Sequence, residues 1–463
     1  MLASVLSGKE KCNRRKSVSP HIVLFSCVLL IIWLFWRDSV YRHVAVTAFW
    51  IPLIWLAILG SRPPALWFAP TQHVGNSLKD VDGSPYNLII QMAIIVAAII
   101  TINKRQLSWG LFLKQNGALV CLYSYFAVSS LWSEFPLASL KRIFKDFGCV
   151  FVALVVLTEE NPTFVLTTVF TRVSYIIFPL SVVFARYFPN IGRNYSIGGE
   201  PMVTGVATQK NSLGMIVFVL SLAIIFELLR ISKNKHTSAT KGHILILWCM
   251  LGLGAYLLHL CQSQTSLLCL LLGIIVLLGC GRIRRTSNPR ATLARIAIAI
   301  SFLILASSAL NLKDIVLSLI GRDSTLTGRT NIWKVLNEKP VNPVIGCGYM
   351  TFWDSDMGQS AIEELRTLKT AHNGYIDVYL GGGIIGCVFL VAYLYIGAKK
   401  TISNMLSGTN YGCFGVAVWV TAIVYNFSES SFLLLGSLWF ALILVLVEVP
   451  KTTSEDELST SPI

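Results

Sequence analysis

Charged residues are scarce in this sequence, and their scarcity excludes an ordinary soluble protein. Only 13% of the 463 residues are charged and 54% are apolar, whereas a soluble domain carries about 25% charged residues. Long blocks of soluble composition are also missing, because apolar runs recur from residue 22 to residue 448 and the longest interval between them is 311–371. We therefore expect one membrane domain.

Signatures of several kinds of site are missing too. The 11 cysteines stand singly and form no C-x-x-C pair, so neither a disulfide framework nor a zinc site is predicted. The sequence has no G-x-x-x-x-G-K-[ST] loop, no H-E-x-x-H helix, no G-x-S-x-G elbow and no aspartate cluster. No metal or other cofactor is expected. The first apolar run lacks a small-residue cleavage site and is interpreted as a transmembrane helix.

What the sequence does contain is a series of apolar runs that can cross a bilayer, for which about 20 helical residues are needed. They lie near 22–36, 44–60, 87–102, 117–132, 147–157, 168–185, 212–229, 244–261, 266–280, 293–310, 376–397, 412–426 and 431–448. Such runs are too long and too uniformly apolar for barrel strands. The fold class predicted is all-α, a polytopic membrane protein with about 12–13 transmembrane helices and one long extracytoplasmic loop at 311–371.

Basic residues outnumber acidic ones, and the formal net charge is +15. They lie in short loops, where charge sets topology or meets anionic lipid, so no nucleic-acid partner is expected. A common cytoplasmic side can hold Lys104, Arg105, Lys114, Arg230, Lys233, Lys235, Lys241, Arg282, Arg284, Arg285, Arg290, Lys399 and Lys400. This assignment predicts four extracytoplasmic segments, which are 133–146, 186–211, 262–265 and 311–371.

The two ends of the chain need separate comment. Counting back through three runs places the basic string KEKCNRRK outside, against the charge rule. Either one of the first two runs does not cross, which is the interpretation preferred here, or the rule fails at this end. The acidic segment SEDELSTSPI has no periodicity and is expected to be disordered.

His372 is the first candidate for chemistry. It belongs to KTAHNGYIDVYLGGGIIG, which leads directly into an apolar run on the predicted outer face. Charges and imidazoles at such helix ends attract attention because the charge rule disfavours them there. A histidine in this position can be a general base or simply structural, and spacing alone leaves both open.

Basic residues on the same face are candidates for an anion site. Arg322 and Arg329 flank a stretch rich in Ser, Thr and Gly, GRDSTLTGRTNIW. Its amides and hydroxyls could surround an anion, while each guanidinium group binds two phosphate oxygens at once, in a bidentate arrangement. A solvated loop with surface arginines is the alternative.

Two further basic clusters lie on this face. The first, in WSEFPLASLKRIFKD, holds Lys141, Arg142 and Lys145, and the second runs from Arg186 to TGVATQKNSLG, where Lys210 and Asn211 precede an apolar run. Lys210 is noteworthy because a helix N-terminus favours anions over cations.

Several motifs taken in order carry a family resemblance: LWSEFPLASLKR, TEENP, FPLSVVFARYFPNIGR, TGVATQKNSLG, SQTSL, GRTNIW, NPVIGCGY and AHNGYIDVYLGGGIIG. They resemble the bacterial O-antigen ligase and polysaccharide polymerase superfamily, nearest its ExoQ-like, exopolysaccharide-polymerising branch. The most specific part is GRTNIW followed by HNGY. The resemblance covers about residues 115 to 445 and suggests three parts: N-terminal helices without a match at 1–115, a ligase/polymerase-like membrane domain at 116–448, and the tail at 449–463.

The resemblance implies a metal-independent, inverting glycosyltransferase in the bacterial inner membrane, with an extracytoplasmic active site. The donor would be an oligosaccharide on polyprenyl diphosphate. The acceptor would be a hydroxyl of another lipid-linked glycan, or of lipid A core in a ligase. A flippase and a chain-length regulator of the same pathway would be partners. The motif match implies that His372, beside Asn373, is the base and that Arg329 binds the diphosphate.

One departure concerns a second diphosphate-binding arginine that the ligases carry. The corresponding place reads Gln262-Ser263-Gln264-Thr265 here, so Lys210 or Arg142 is expected to supply the charge, and the polymerase branch is favoured. A ligase remains the alternative among enzymes, and an exporter or flippase the alternative among other proteins. A transporter tends to show inverted repeats and broken helices, for which the sequence gives no sign.

Overall fold

The computed structural model describes residues 19–42, 47–68, 84–195, 199–231, 238–295, 329–365 and 370–450. Within these ranges the one sheet is an antiparallel pair of short strands, β1 (Arg193–Tyr195) and β2 (Pro201–Val203). The helices are α1 (Pro20–Tyr41), α2 (Trp50–Leu59), α3 (Pro64–Phe68), α4 (Pro85–Lys104), α5 (Trp109–Gln115), α6 (Gly117–Ser129), α7 (Pro136–Leu157), α8 (Pro162–Tyr187), α9 (Pro189–Gly192), α10 (Lys210–Ile231), α11 (Ser238–Cys261), α12 (Gln264–Ile283), α13 (Arg329–Asn337), α14 (Asp356–Leu365), α15 (Gly374–Leu406), α16 (Asn410–Tyr425) and α17 (Ser437–Leu446).

The predicted fold class is confirmed: the protein is an all-α polytopic membrane protein. Among the described residues, seven helices are long and apolar enough to cross a membrane, namely α1, α4, α8, α10, α11, α12 and α15. Four shorter apolar helices, α2, α6, α16 and α17, and the 22-residue α7 also coincide with predicted runs. The remaining run, 293–310, lies mostly outside the described residues.

Proline marks the first turn of several helices. Pro20, Pro85, Pro136 and Pro162 begin α1, α4, α7 and α8, where a missing N–H costs nothing and a fixed φ suits the helix. In α7 this start corrects the sequence analysis, which predicted an apolar run beginning at 147 and a surface segment before it. The helix already contains 136–146, and the charges of that stretch concealed it.

Helices α8 and α10 form the centre of the bundle, whereas α1 and α4 are among those at its edge. In α8 and α10, 83% and 72% of the apolar span is buried, against 17% in α1 and 28% in α4. A helix that is apolar on all sides is typically a buried one. Residues from both sides of position 115 share a single core, in which Trp55 and Ile95 join Phe218 and Trp439.

The helix ends form two faces. On the upper face, Ser133 Oγ lies 2.8 Å from Thr351 Oγ1, and Thr265 Oγ1 lies 3.0 Å from Ser428 Oγ. On the lower face, Lys400 donates to the carbonyl of Gln115 at 2.9 Å. Segments predicted to share one side of the membrane therefore do lie together. Which face is extracytoplasmic stays a prediction.

The first helix crosses between these faces. At its start, His21 packs edge-on against Phe188 of the upper face, with ring centroids 5.8 Å apart. At its end, Arg42 lies 2.7 Å from Glu227, which also pairs with Arg230 of the lower face. The chain therefore enters the described structure at the upper face.

The second helix returns to the upper face. After α2, the N–H of Arg62 donates to the carbonyl of Val206 at 2.9 Å. The chain thus passes twice between the two faces. Because α2 has only 10 residues and is not among the candidate spans, the preferred interpretation, that one of the first two runs does not cross the membrane, stays a prediction. Buried ion pairs between α1 and its neighbours fix the direction of α1 within the bundle.

Helix α15 is broken in its first third. Gly383 has φ 60° and ψ −160°, a conformation that favours glycine, and a Cβ there would lie 2.3 Å from the carbonyl carbon of Val344. The chain segment 342–348 fills the break through main-chain hydrogen bonds. These are Cys347 N–H to Leu380 O (2.9 Å), Gly348 N–H to Gly381 O (2.9 Å), Ile384 N–H to Pro343 O (2.9 Å) and Ile385 N–H to Val344 O (3.2 Å).

This arrangement corrects two expectations. A broken helix is present although the sequence gave no sign of one, and part of the predicted loop 311–371 packs into the bundle. Non-helical backbone within a membrane is tolerated where protein groups satisfy its hydrogen bonds, and the segment 342–348 does so here.

Candidate active site

The site forms where the AHNG sequence begins α15. The Asn373 side-chain oxygen accepts from the N–H groups of Tyr375 and Ile376 at 3.0 and 3.2 Å, and so caps the helix. The N–H of Gly374 donates to the carbonyls of Asn426 (2.9 Å) and Glu429 (3.1 Å). A Cβ on Gly374 would lie 2.0 Å from the Asn426 side-chain oxygen. Asparagine and glycine therefore fasten this helix start to the segment 426–429.

His372 occupies the residue before this cap in a left-handed conformation, with φ 48°. Its N–H donates to Thr370 Oγ1 at 3.2 Å. Such a φ is uncommon outside glycine and costs energy, and residues of this kind cluster at functional sites. The backbone geometry therefore gives His372 a property that an ordinary structural histidine lacks.

The imidazole of His372 is bound through one nitrogen only. Nδ1 lies 3.0 Å from Glu429 Oε2, and within the described residues Nε2 has no polar partner. A carboxylate on Nδ1 selects the tautomer that carries its proton there, which leaves the Nε2 lone pair to accept a proton. The side chain is 10% exposed, so the imidazole as a whole is largely shielded from solvent.

Glu429 is the centre of the cluster. Its Oε1 lies 2.5 Å from a terminal nitrogen of Arg329 and accepts from the Asn211 amide at 2.7 Å. One carboxylate thus joins α10, α13 and the start of α15. With only 7% of its side chain exposed, Glu429 needs these charged and polar partners, because an unpaired buried charge is costly.

A second carboxylate supports the backbone around the histidine. Asp377, one turn into α15, accepts from the N–H of Ala371 at 3.3 Å and from the Trp353 indole at 3.2 Å. It also accepts a short hydrogen bond from the Ser430 hydroxyl. Asp377 therefore holds both the residue before His372 and the residue after Glu429.

Helix α13 is tied to the same backbone. The Trp333 indole donates to the carbonyl of Ala371 at 2.9 Å. Because Arg329 is the first residue of this helix, the contact fixes the arginine next to the AHNG turn.

The structure thus unites three of the predicted site residues, His372, Asn373 and Arg329. Lys210 begins α10, but its neighbour Asn211 makes the contact with Glu429. No ion pair or hydrogen bond reaches the Lys210 ammonium group from the described part of the chain. Arg322 lies outside the described residues.

Arg142 lies in a different place. It is 5% exposed on α7, and a guanidinium nitrogen lies 2.7 Å from Asp354 and donates to the carbonyl of Met350 at 2.6 Å. The structure assigns this arginine to a buried ion pair that holds the segment 350–354, and not to the cluster around Glu429.

The turn at 262–265, where the family resemblance predicts an arginine in ligases, borders the site. Thr265 contacts Ser428, the residue before Glu429. At this border the chain supplies a neutral hydroxyl, so the missing guanidinium is not replaced from the same turn.

Glu429 and Asp377 were not identified from the sequence. One signal for Glu429 was available, because it is the only acidic residue between Val378 and Val447. A single carboxylate between two apolar runs is expensive near a membrane and is a functional candidate for that reason. Asp377 carried no comparable signal, since it stands near other polar residues.

Part of this chain is similar to a known class of membrane protein. A family model described as O-antigen ligase matches residues 245–391, which include Arg329, His372 and Asn373. Over this stretch the chain is similar to the O-antigen ligases.

One protein to which the chain is similar is the exopolysaccharide production protein ExoQ of Rhizobium meliloti (strain 1021). It is 27% identical over 294 residues, which cover 60% of this chain and 64% of the relative. The chain therefore spans less than two thirds of that relative's length.

Proposed function

We propose that this chain is a membrane glycosyltransferase that polymerises polyprenyl-diphosphate-linked oligosaccharide repeat units into exopolysaccharide, at the outer face of the bacterial inner membrane. The match of residues 245–391 to the O-antigen ligase model and the name of the similar relative support this function. The observation that carries it is the placement of His372 and Arg329 on the same carboxylate, Glu429.

In this proposal His372 is the general base. Its Nε2 accepts the proton of an acceptor sugar hydroxyl as that oxygen attacks the anomeric carbon of the donor. Glu429 holds the ring through Nδ1 and stabilises the imidazolium that forms, as a carboxylate does beside other catalytic histidines. A new carbon–oxygen bond forms while the bond to the lipid diphosphate breaks, so the single displacement inverts the anomeric centre.

Arg329 stabilises the leaving group. The departing lipid diphosphate gains negative charge, and a fixed guanidinium in a poorly solvated place stabilises that charge without needing a metal ion. Arginine has five N–H donors in a planar fork. The one nitrogen bound to Glu429 therefore leaves further donors for phosphate oxygens. Lys210, next to Asn211, and Arg322 are the additional cations expected to contribute.

The central test is His372→Ala in purified protein reconstituted into vesicles with lipid-linked repeat units. We expect polymer formation to fall by about 10²–10⁴-fold, the usual loss for a general base, with a normal amount of folded protein. His259→Ala is the matched control, because His259 is exposed in the last turn of α11, at the upper face. A His372→Ala protein that still makes long polymer would refute the mechanism.

The products distinguish the enzymatic alternatives. In cells carrying His372→Ala, single repeat units building up on the lipid carrier identify polymerisation as the blocked step. Finished long chains that remain unattached identify a ligase. The broken helix α15 is a feature that transporters tend to have, and it would favour the exporter alternative. In this protein, however, the segment 342–348 closes the break with main-chain hydrogen bonds.

The sidedness is tested by cysteine labelling of whole cells with a membrane-impermeant reagent. A cysteine replacing Glu363, exposed on α14, should react, and one replacing Arg285 should not. Reversed labelling would place the site in the cytoplasm and exclude the proposed donor. Cys121 and Cys249, which are exposed, are replaced first.

A further inference from the structure

The lower face, opposite the candidate active site, contains a cavity of about 260 Å³ between α10, α12 and α16. Four arginines line it, namely Arg230, Arg282, Arg284 and Arg285. The rest of its lining is largely apolar and includes Phe226, Leu229, Leu277, Leu278 and Cys413. The cavity thus joins a strongly basic part to an apolar part.

The basic part carries an excess of positive charge. No acidic side chain lines the cavity within the described structure. Arg230 is paired with Glu227, at 2.7 Å, and Arg284 donates to neutral oxygens of Gly408 and Asn410. The guanidinium groups of Arg282 and Arg285 have no hydrogen bond or ion pair with any described residue.

The preference for basic residues at cytoplasmic helix ends explains why these arginines are present, but it does not explain their arrangement. Basic residues collect at the cytoplasmic ends of helices, and cations are favourable in the last turns of α10 and α12. Neither effect requires arginines from two helices to converge on one cavity with an apolar floor. Leu229 and Leu278 are 37% and 38% exposed, so the floor continues onto the outer surface of the bundle.

We propose that this cavity binds an anionic phospholipid. The phosphate lies among Arg282, Arg284 and Arg285, since guanidinium groups bind phosphate oxygens in pairs, and an acyl chain lies against Leu229 and Leu278. Basic pockets between transmembrane helices on the cytoplasmic side bind lipid headgroups in this way. The site is separate from the glycosyltransferase proposal, because it lies on the other face.

The test uses the full chain in phosphatidylcholine vesicles that contain a small fraction of fluorescent phosphatidylglycerol, with energy transfer from the protein as the readout. We expect the double variant Arg282→Gln/Arg285→Gln to bind the labelled lipid more weakly by a factor of about ten or more. Each basic residue near anionic lipid makes a contribution to the binding free energy that supports a loss of this size. Arg290→Gln/Arg295→Gln is the matched control, which removes the same charge from exposed positions outside the cavity and should bind normally.

Leu278→Phe separates a specific site from charge alone, because it enlarges the side chain in the apolar floor, adds no tryptophan donor and keeps all four arginines. It should weaken binding as the arginine variant does. Equal losses in the two arginine pairs, or normal binding by Leu278→Phe, would overturn the proposal.

Two other occupants give distinct results. Competition by soluble glycerol phosphate as effective as that by phosphatidylglycerol would indicate a free-phosphate site. Stronger lipid binding after neutralisation of Glu455, Asp456 and Glu457 would identify the acidic tail as the occupant. Either result would overturn the proposal.

Discussion

Two clusters of arginine, carboxylate and histidine lie at opposite faces of this protein, and they differ in what they leave open. The upper cluster consists of Arg329, Glu429 and His372, whose side chains are 14%, 7% and 10% exposed. The lower cluster consists of Asp38, Arg42, Arg172, Glu227 and His243, whose side chains are at most 6% exposed.

The histidines show the difference most directly. In the lower cluster, Nε2 of His243 lies 3.0 Å from Arg42 and Nδ1 lies 3.7 Å from Asp38, so both ring nitrogens face charged partners. In the upper cluster, His372 has a polar partner on Nδ1 alone among the described residues. The two histidines therefore differ in their surroundings: both ring nitrogens of His243 have charged neighbours, whereas Nε2 of His372 has no polar partner among the described residues.

The largest effects are expected from two single variants, in each of which one of these histidines is replaced by alanine. His372→Ala should abolish polymer formation while the protein accumulates normally. His243→Ala should instead reduce the amount of folded protein, because it removes a partner from a buried charge cluster, with turnover per folded molecule retained. The measurement is polymer per folded protein for both variants. Similar losses of turnover in both would remove the distinction.

The next effect concerns stability at the lower cluster. Glu227 pairs with Arg42 at 2.7 Å and with Arg230 at 2.7 Å. Glu227→Gln leaves buried Arg42 without this counter-charge and should lower the free energy of unfolding by about 3–5 kcal/mol. Thermal unfolding in detergent measures it. Lys339→Gln, which removes a partly exposed pair with Glu364, is the control and should change stability by less than about 1 kcal/mol.

Glu429→Gln should reduce turnover by about 10- to 100-fold, the scale seen for partners that orient a histidine. A merely structural role would lower the amount of folded protein and leave turnover per folded molecule unchanged. Asp377→Asn is the comparison, since Asp377 holds the backbone and has no contact with the imidazole among its hydrogen bonds.

The smallest effect is expected from Arg329→Lys, which keeps the charge but loses the planar fork. Turnover should fall by about tenfold, since bidentate binding of phosphate is lost. Lys334→Gln, at an exposed position on the same helix, should have little effect. Full polymer yield from Arg329→Lys would count against a role in diphosphate binding.

The sequence predicted what depends on local pattern and missed what depends on distant partners. Apolar runs located the described spanning helices, and AHNG with GRTNIW located His372 and Arg329. The direction of α1 was not predictable, because it depends on contacts such as that between Arg42 and Glu227, 185 residues apart. Glu429 was missed for the same reason, since it meets His372 across 57 residues and Arg329 across 100.

The break in α15 has a consequence for exchanging segments between related chains. The turn-forming segment 342–348 and the stretch 380–385 around the helix break complete each other's main-chain hydrogen bonds, so we expect neither to keep its shape beside a foreign partner. Residues 342–385 are therefore one module for recombination, with His372 inside it. A hybrid protein with a junction within this module should fail to form the site, whereas junctions in the turn at 407–409, between α15 and α16, should preserve it.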